Sequence, residues 1–263
     1  EQGLLKMRKA LGLFANVRPT FVFPSLIDKS PLKRERIEGT DLVILRELTG
    51  GIYFGEKGRR DDGETAFDNC VYTREEVKRL AKKGFELAMS RNKKLCCVDK
   101  ANVLETSRLW RETVQAMEKD YPEVKVSYEF VDAVAMRLVQ WPNSYDVMIT
   151  ENLFGDILTD EASVISGSMG LMPSASVGTE NQLFEPIHGS YPQATGLNIA
   201  NPMATVLSAA MMFEMAFDLQ EEGEAIRNVV NRALAEGIVT EDLADGGKAY
   251  GTKEVGDWLA ANI

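Results

Sequence analysis

Asp156 and Asp160 stand four residues apart in a stretch, Phe154 to Ile165, whose pattern predicts a helix. On a helix, positions i and i+4 share a face, so both carboxylates can meet one divalent cation. Hard oxygen ligands favour Mg²⁺ or Mn²⁺ over Zn²⁺. A solvated helix face shows the same spacing, and the pair alone does not decide between the two. Asp132, distant in sequence, is the candidate third ligand. Three arginines stand out beside these acids: Arg8, Arg18 and Arg46. A guanidinium grips a carboxylate through two parallel hydrogen bonds, so a multiply charged carboxylic acid calls for such forks. Arg8, beside Lys6 and Lys9, can equally serve surface ion pairing; Arg46 follows the apolar run Leu42–Leu45, where that reading is weaker. His188 is the only histidine, in a Pro- and Gly-bearing loop of the kind that brings backbone N–H groups near ligands. It can equally be structural. Acid–base work at neutral pH then falls to Lys, Tyr or a carboxylate.

The elements that must position these groups follow from the apolar runs. Asp41–Arg46, Lys94–Lys100, Val124–Phe130 and Tyr145–Thr150 predict strands. Val17–Phe23 predicts another, broken by Pro19. Thr73-Arg-Glu-Glu76 is a capping box opening a helix to about Arg91, and Leu104–Lys119 predicts a second helix. Ile52–Phe54 and Ala66–Tyr72 flank a polar stretch and predict the two strands of a protruding hairpin. After a Gly-, Pro- and Ser-rich region, Met169–Asn201, helices are predicted near Ala204–Leu219, Glu222–Glu236 and Lys253–Ala261. Strands alternating with helices argue an α/β protein. In open α/β sheets, ligands gather beyond the carboxyl ends of the strands. Arg46 and Lys100 close two of these strands, and Asp132 and Asp156 follow two others. Neither GxGxxG nor GxxxxGK[ST] occurs, so no motif supports a Rossmann or P-loop site.

The totals narrow the function classes. The chain has 263 residues and a formal net charge of −10, with a sequence pI near 4.9. Such a surface repels phosphate backbones and disfavours nucleic-acid binding. No apolar stretch approaches a membrane span of about 20 residues; the longest, Ala209–Phe217, contains Glu214. The three cysteines, Cys70, Cys96 and Cys97, lack CxxC spacing and read as buried thiols in a reducing, cytoplasmic setting.

Longer motifs carry a resemblance. Gly3-Leu-Leu-Lys-Met-Arg-Lys9, Leu13-Phe-Ala-Asn-Val-Arg-Pro19, Arg46-Glu-Leu-Thr-Gly-Gly-Ile-Tyr-Phe-Gly55, Val98-Asp-Lys-Ala-Asn-Val-Leu104, Asn152-Leu-Phe-Gly-Asp-Ile-Leu-Thr-Asp160, Phe184-Glu-Pro-Ile-His-Gly-Ser190 and Asn198-Ile-Ala-Asn-Pro202 run in order through the chain. Together they resemble the isocitrate/isopropylmalate β-decarboxylating dehydrogenase family, in its isopropylmalate branch. The resemblance implies a two-domain α/β fold with a non-Rossmann cofactor site and a protruding dimerisation arm at about residues 47–72. Residues 1–13 and 167–263 would form the cofactor-binding domain, incomplete because the family's N-terminal segment is lacking. Residues 14–166 would form the substrate, metal and dimerisation domain. The implied partner is a second copy, with shared active sites: Lys100 and Asp132 from one subunit, and Arg8, Arg18, Arg46, Tyr53, Asp156 and Asp160 from the other. The implied activity is NAD-dependent oxidative decarboxylation of 3-isopropylmalate with Mg²⁺ or Mn²⁺, Lys100 and Tyr53 being catalytic. Glu1, His188, Gly189, Ser190, Gln193, Ala200 and Asn201 are the implied cofactor contacts.

Leu4 and Leu5 offer apolar surface near Arg8, suited to an isopropyl group, where an isocitrate enzyme must bind a third carboxylate. A tartrate or D-malate decarboxylating enzyme of the same superfamily shares that helix pattern, and a non-catalytic dimerising fragment is the rival from another class. At position 193 the NAD-linked members resembled carry Asp. Gln193 keeps a hydrogen-bonding group but removes the charge that repels a 2′-phosphate. The chain opens without Met and runs straight into a helical pattern, which leads us to expect a missing first segment.

Overall fold

The computed structural model describes residues 2–263, and for Gln2, Leu4 and Leu5 the backbone alone. Nine strands are assigned: β1 (Ala15–Phe21), β2 (Asp41–Glu47), β3 (Lys57–Arg60), β4 (Thr65–Asp68), β5 (Lys94–Asp99), β6 (Lys125–Phe130), β7 (Val147–Thr150), β8 (Pro173–Val177) and β9 (Gln182–Pro186). The helices are α1 (Gln2–Ala10), α2 (Arg34–Ile37), α3 (Arg74–Ser90), α4 (Glu105–Met117), α5 (Val131–Gln140), α6 (Asn152–Ser163), α7 (Met203–Ala216), α8 (Gln220–Glu236), α9 (Glu241–Ala244) and α10 (Thr252–Asn262).

Seven strands form one sheet in the order β6-β5-β7-β2-β1-β8-β9. The first four are parallel and the rest antiparallel. The parallel half is covered on both faces, which is why β2 reads as an unbroken apolar run. Val43 and Leu45 pack beneath α3 and α4 with Phe85 and Trp110. Leu42 and Ile44 face the other way, toward Leu138 of α5 and Leu158 of α6. A separate core joins α7, α8 and α10 through Leu207, Val230 and Leu259. Cys96 and Cys97 are buried on opposite faces of β5. Among the described residues, no helix is long and apolar enough to cross a membrane.

Two expectations need correction. Pro19 does not break its strand: β1 runs through it, paired with β2 from Ala15 to Phe21. The β8 ladder covers only Ala15–Val17, so β1 has a free edge at Pro19, where a missing N–H is tolerated. The hairpin also exists, but its strands are Lys57–Arg60 and Thr65–Asp68. Gly51–Tyr53 instead forms a 3₁₀ turn, made possible by Gly51 at φ +73° beneath the ring of Tyr72. The predicted capping box does form: the Thr73 hydroxyl accepts from the Glu76 N–H, and the Glu76 carboxylate accepts from the Thr73 N–H at 2.7 Å.

Gly84 lets α3 lie close on the sheet, since a Cβ there would meet Ile149 Cγ2 at 2.5 Å. Gly84→Ala should lower the unfolding free energy by about 1–3 kcal/mol through overpacking. Urea denaturation checks this, and an unchanged midpoint would show that Ile149 moves aside freely.

Candidate active site

Arg46 lies one residue before the end of β2, beside Thr150 of β7 and opposite Asn16 of β1. Its side chain is almost wholly buried beneath the first turns of α6. A Cβ at Gly155 would meet Arg46 Cγ at 2.6 Å, so glycine is required inside α6 for the arginine stem to fit. Each of the three guanidinium nitrogens finds an acceptor. Nε and Nη2 donate to Asn152 Oδ1 at 3.1 and 2.8 Å, and Nη1 donates to Asp156 Oδ1. Burial holds the Arg46 pKa below its ordinary value.

Arg18 lies two residues beyond Asn16 on β1, hence on the same sheet face as Arg46. It donates to Asn16 Oδ1 and Thr159 Oγ1, each at 2.6 Å, and lies 3.5 Å from Asp160 Oδ1. Burial first, and then the positive charge of Arg46, push its pKa down to about 10. Arg8 on α1 also lies within electrostatic reach, paired with Glu185 of β9 at 2.9 Å. Its buried Nε has no hydrogen-bond partner among the described residues. Three guanidiniums converging at one face suit a ligand with more than one negative charge.

The carboxylates of Asp156 and Asp160 emerge from α6 toward solvent beside these arginines. Tyr53 donates from its hydroxyl to Asp156 Oδ2 at 2.7 Å. Burial and that hydrogen bond push its pKa up to about 12, so the phenol stays protonated at neutral pH. Ile157 points outward, while Leu158 and Ala162 on the other side of α6 are buried in the core.

Lys100, just after β5, reaches Asp132 in the first turn of α5 at 2.5 Å. That partner holds the Asp132 carboxyl below the usual range. The pair stands apart from the Arg46 cluster. Among the described residues, no three carboxylates, thiols or imidazoles gather around a common point within one chain. Asp156 and Asp160 supply two hard oxygen donors on one helix face, which fits Mg²⁺ or Mn²⁺; Asp132 is paired with Lys100 instead.

A cleft of about 480 Å³ lies among the loops after β9, lined by His188, Gly189, Ser190, Ala194, Ala200 and Asn201. Gln193 is exposed beside it and does not line it. Glu1 and the side chains of Leu4 and Leu5 lie outside the described residues. Sequence reasoning missed Asp242, which also borders the cleft and accepts hydrogen bonds from Asn201 and Ser168 at 3.1 and 3.0 Å. It also missed the residues that hold the guanidiniums. Asn16 was findable, two positions before Arg18 on one strand face; Asn152 and Thr159 sit inside the acidic helix motif.

Buried guanidiniums facing paired carboxylates at strand ends suit an enzyme that handles small polycarboxylates together with a divalent cation. The chain belongs to the isocitrate/isopropylmalate dehydrogenase family, whose model matches residues 1–259. It is 58% identical over 264 residues to a 3-isopropylmalate dehydrogenase of Bacteroides fragilis, covering 100% of this chain and 74% of that protein. A 3-isopropylmalate dehydrogenase of Desulfitobacterium hafniense is 51% identical, with 99% and 74% covered. The crystal structure of isocitrate dehydrogenase from Methylococcus capsulatus matches with a TM-score of 0.90 at 34% identity, covering 98% of this chain and 75% of that one.

Asp156→Asn should weaken Mn²⁺ binding about tenfold or more, since losing one charged oxygen ligand costs at least ~1.4 kcal/mol. Asp62→Asn, at the tip of the hairpin, should leave it unchanged. Calorimetry with Mn²⁺ compares the two, and equal affinities would remove Asp156 from the metal set.

Proposed function

We propose that the chain carries out NAD-dependent oxidative decarboxylation of 3-isopropylmalate to 4-methyl-2-oxopentanoate, a cytoplasmic step of leucine biosynthesis. The observation that carries this reading is the convergence of Arg8, Arg18 and Arg46 beside Asp156, Asp160 and Tyr53. The relatives named 3-isopropylmalate dehydrogenase, at 51–58% identity, support the choice of substrate.

The roles follow from the chemistry of each group. The arginines bind the two carboxylates of the substrate and fix its orientation. Leu4 and Leu5 are assigned to the isopropyl group by their apolar type and their place in the sequence near Arg8. Asp156 and Asp160, with Asp132 of a second copy, hold Mg²⁺ or Mn²⁺. When bound, NAD⁺ supplies the hydride acceptor and the cation supplies Lewis-acid polarisation of the substrate's oxygens. Lys100, from the second copy, takes the proton of the C2 hydroxyl as hydride leaves C2. The β-carboxylate then departs as CO₂. Tyr53, kept protonated by its raised pKa, delivers a proton to the carbon that lost it.

The cleft beside His188 takes the adenosine half of the dinucleotide. Its lining contains no Lys or Arg, and Asp242 adds a negative charge. A 2′-phosphate would find no cation there, which favours NAD over NADP even with Gln193 in place of an acid. Residues 1–13 and 167–263 form the cofactor side, residues 14–166 the substrate side, and the arm at 47–72 joins two copies into a homodimer.

Turnover and assembly test this together. NADH formation should require 3-isopropylmalate and a divalent cation, with malate and tartrate slower, and sedimentation should give a dimer. Tyr53→Phe should lower kcat roughly a hundredfold or more while leaving dimerisation intact. Equal or faster turnover of D-malate would overturn the substrate assignment, and a monomer would remove the shared site.

A further inference from the structure

The hydroxyl of Tyr72 has no part in the chemistry above, yet it is buried and fully engaged. Tyr72 follows the returning strand of the arm. Its ring stands edge-on to Trp110, with centroids 5.5 Å apart. It also covers the Gly50-Gly51 turn so closely that a Cβ on Gly50 would meet Tyr72 Cε1 at 2.6 Å. A phenylalanine would fill that space equally well. The hydroxyl adds two hydrogen bonds: it donates to Glu151 Oε2 at 3.1 Å and accepts from the Asn152 N–H at 3.0 Å.

Both partners lead to Arg46. Glu151 caps α6, its Oε1 accepting from the Phe154 N–H at 2.8 Å. Asn152 turns its amide carbonyl to Arg46 Nε and Nη2 and donates from Nδ2 to the Gly50 carbonyl at 3.2 Å. The same glycine turn is pinned from the other side by Glu47, wholly buried, which accepts from the Thr49 and Gly50 N–H groups at 2.9 and 2.7 Å. Asn152 is thus clamped through its backbone by Tyr72 and through its side chain by the turn. An amide free to swing would leave two donors of a buried guanidinium unmet, at high cost in a low-dielectric setting.

We propose that Tyr72 is a positioning residue, its hydroxyl bridging Glu151 and the Asn152 N–H so that the Asn152 side chain aims the Arg46 guanidinium. This rests on the reading that Arg46 binds a substrate carboxylate. Tyr72 touches no reacting atom. The arm therefore has a second task besides reaching a partner: its root sets the charge that receives substrate.

The test is Tyr72→Phe, which keeps the ring packing, read by hydrogen exchange of the Arg46 Nε–H in ¹⁵N-labelled protein. Exchange should quicken about tenfold, as expected when a buried hydrogen bond is loosened. The Nε–H of Arg227, held by Glu214 at 2.7 Å and outside this hydrogen-bond network, should not change. Glu151→Gln keeps an acceptor for the helix cap but takes one from the phenol, and should shift Arg46 in the same direction by a smaller factor. In turnover, Tyr72→Phe should raise the KM for 3-isopropylmalate more than it lowers kcat. Unchanged Arg46 exchange in both variants, or equal quickening at Arg227, would overturn the proposal. The exchange comparison needs no turnover. A parent protein that fails to oxidise 3-isopropylmalate would overturn the dehydrogenase reading, while the Nε–H rates still decide for or against Tyr72.

Discussion

A guanidinium buried at the end of a strand constrains everything around it. Arg46 cannot shed its charge at neutral pH, and leaving it unpaired in the interior would cost several kcal/mol. The neighbouring sequence answers that demand position by position. Asn152 receives two of its N–H groups and Asp156 a third. Gly155 vacates the space that its stem occupies. A glycine inside a helix normally costs about 0.5–1 kcal/mol relative to alanine, a cost accepted here because a larger residue would push α6 off the sheet. The acidic pair is on this helix, so the helix start that satisfies Arg46 also fixes where the carboxylates point.

The sheet explains why the site forms where it does. β2 lies at the join between a parallel half and an antiparallel half. Its parallel neighbour β7 leads directly into α6, and its antiparallel neighbour β1 lays Asn16 and Arg18 alongside Arg46. Groups from a strand end, a helix start and a reversed strand thereby meet on one face. Lys100 follows β5, two strands from β2 in the same sheet, a separation of about 10 Å at ordinary strand spacing. It pairs with Asp132 instead of with the Arg46 cluster. Under the proposed function, the proton acceptor and third acid are therefore drawn from a second copy.

Much of this was legible in the sequence, and the limits of legibility have causes. Strands buried on both faces announced themselves as continuous apolar runs, and the capping box at Thr73 and Glu76 named its own helix start. Charged residues at the ends of those runs, Arg46 and Lys100, gave the candidate site before any fold was known. The arm was misregistered because Ile52–Phe54 has the composition of a strand; its turn is imposed by Tyr72, some twenty residues on, pressing on two glycines. The supporting amides were overlooked for a similar reason. Asn16 and Asn152 have no distinctive pattern of their own, and their task appears only once β1, β2 and α6 are side by side. Family resemblance supplied roles that spacing could not, above all the division of the site between two chains.

The balance of charge at the site links its ligands to one another. Within one chain, Arg8, Arg18 and Arg46 are already paired with Glu185, Asp160 and Asp156. A substrate dianion arriving alone would have to draw Arg46 away from Asp156 and leave that carboxylate without its cation. A divalent ion arriving alone would take Asp156 and leave a buried guanidinium short of an acceptor. Arriving together, dianion and dication exchange partners with the existing pairs and preserve neutrality. Tyr53 is hydrogen-bonded to the same carboxylate, so the phenol that would donate a proton is held beside the groups that would bind the cation.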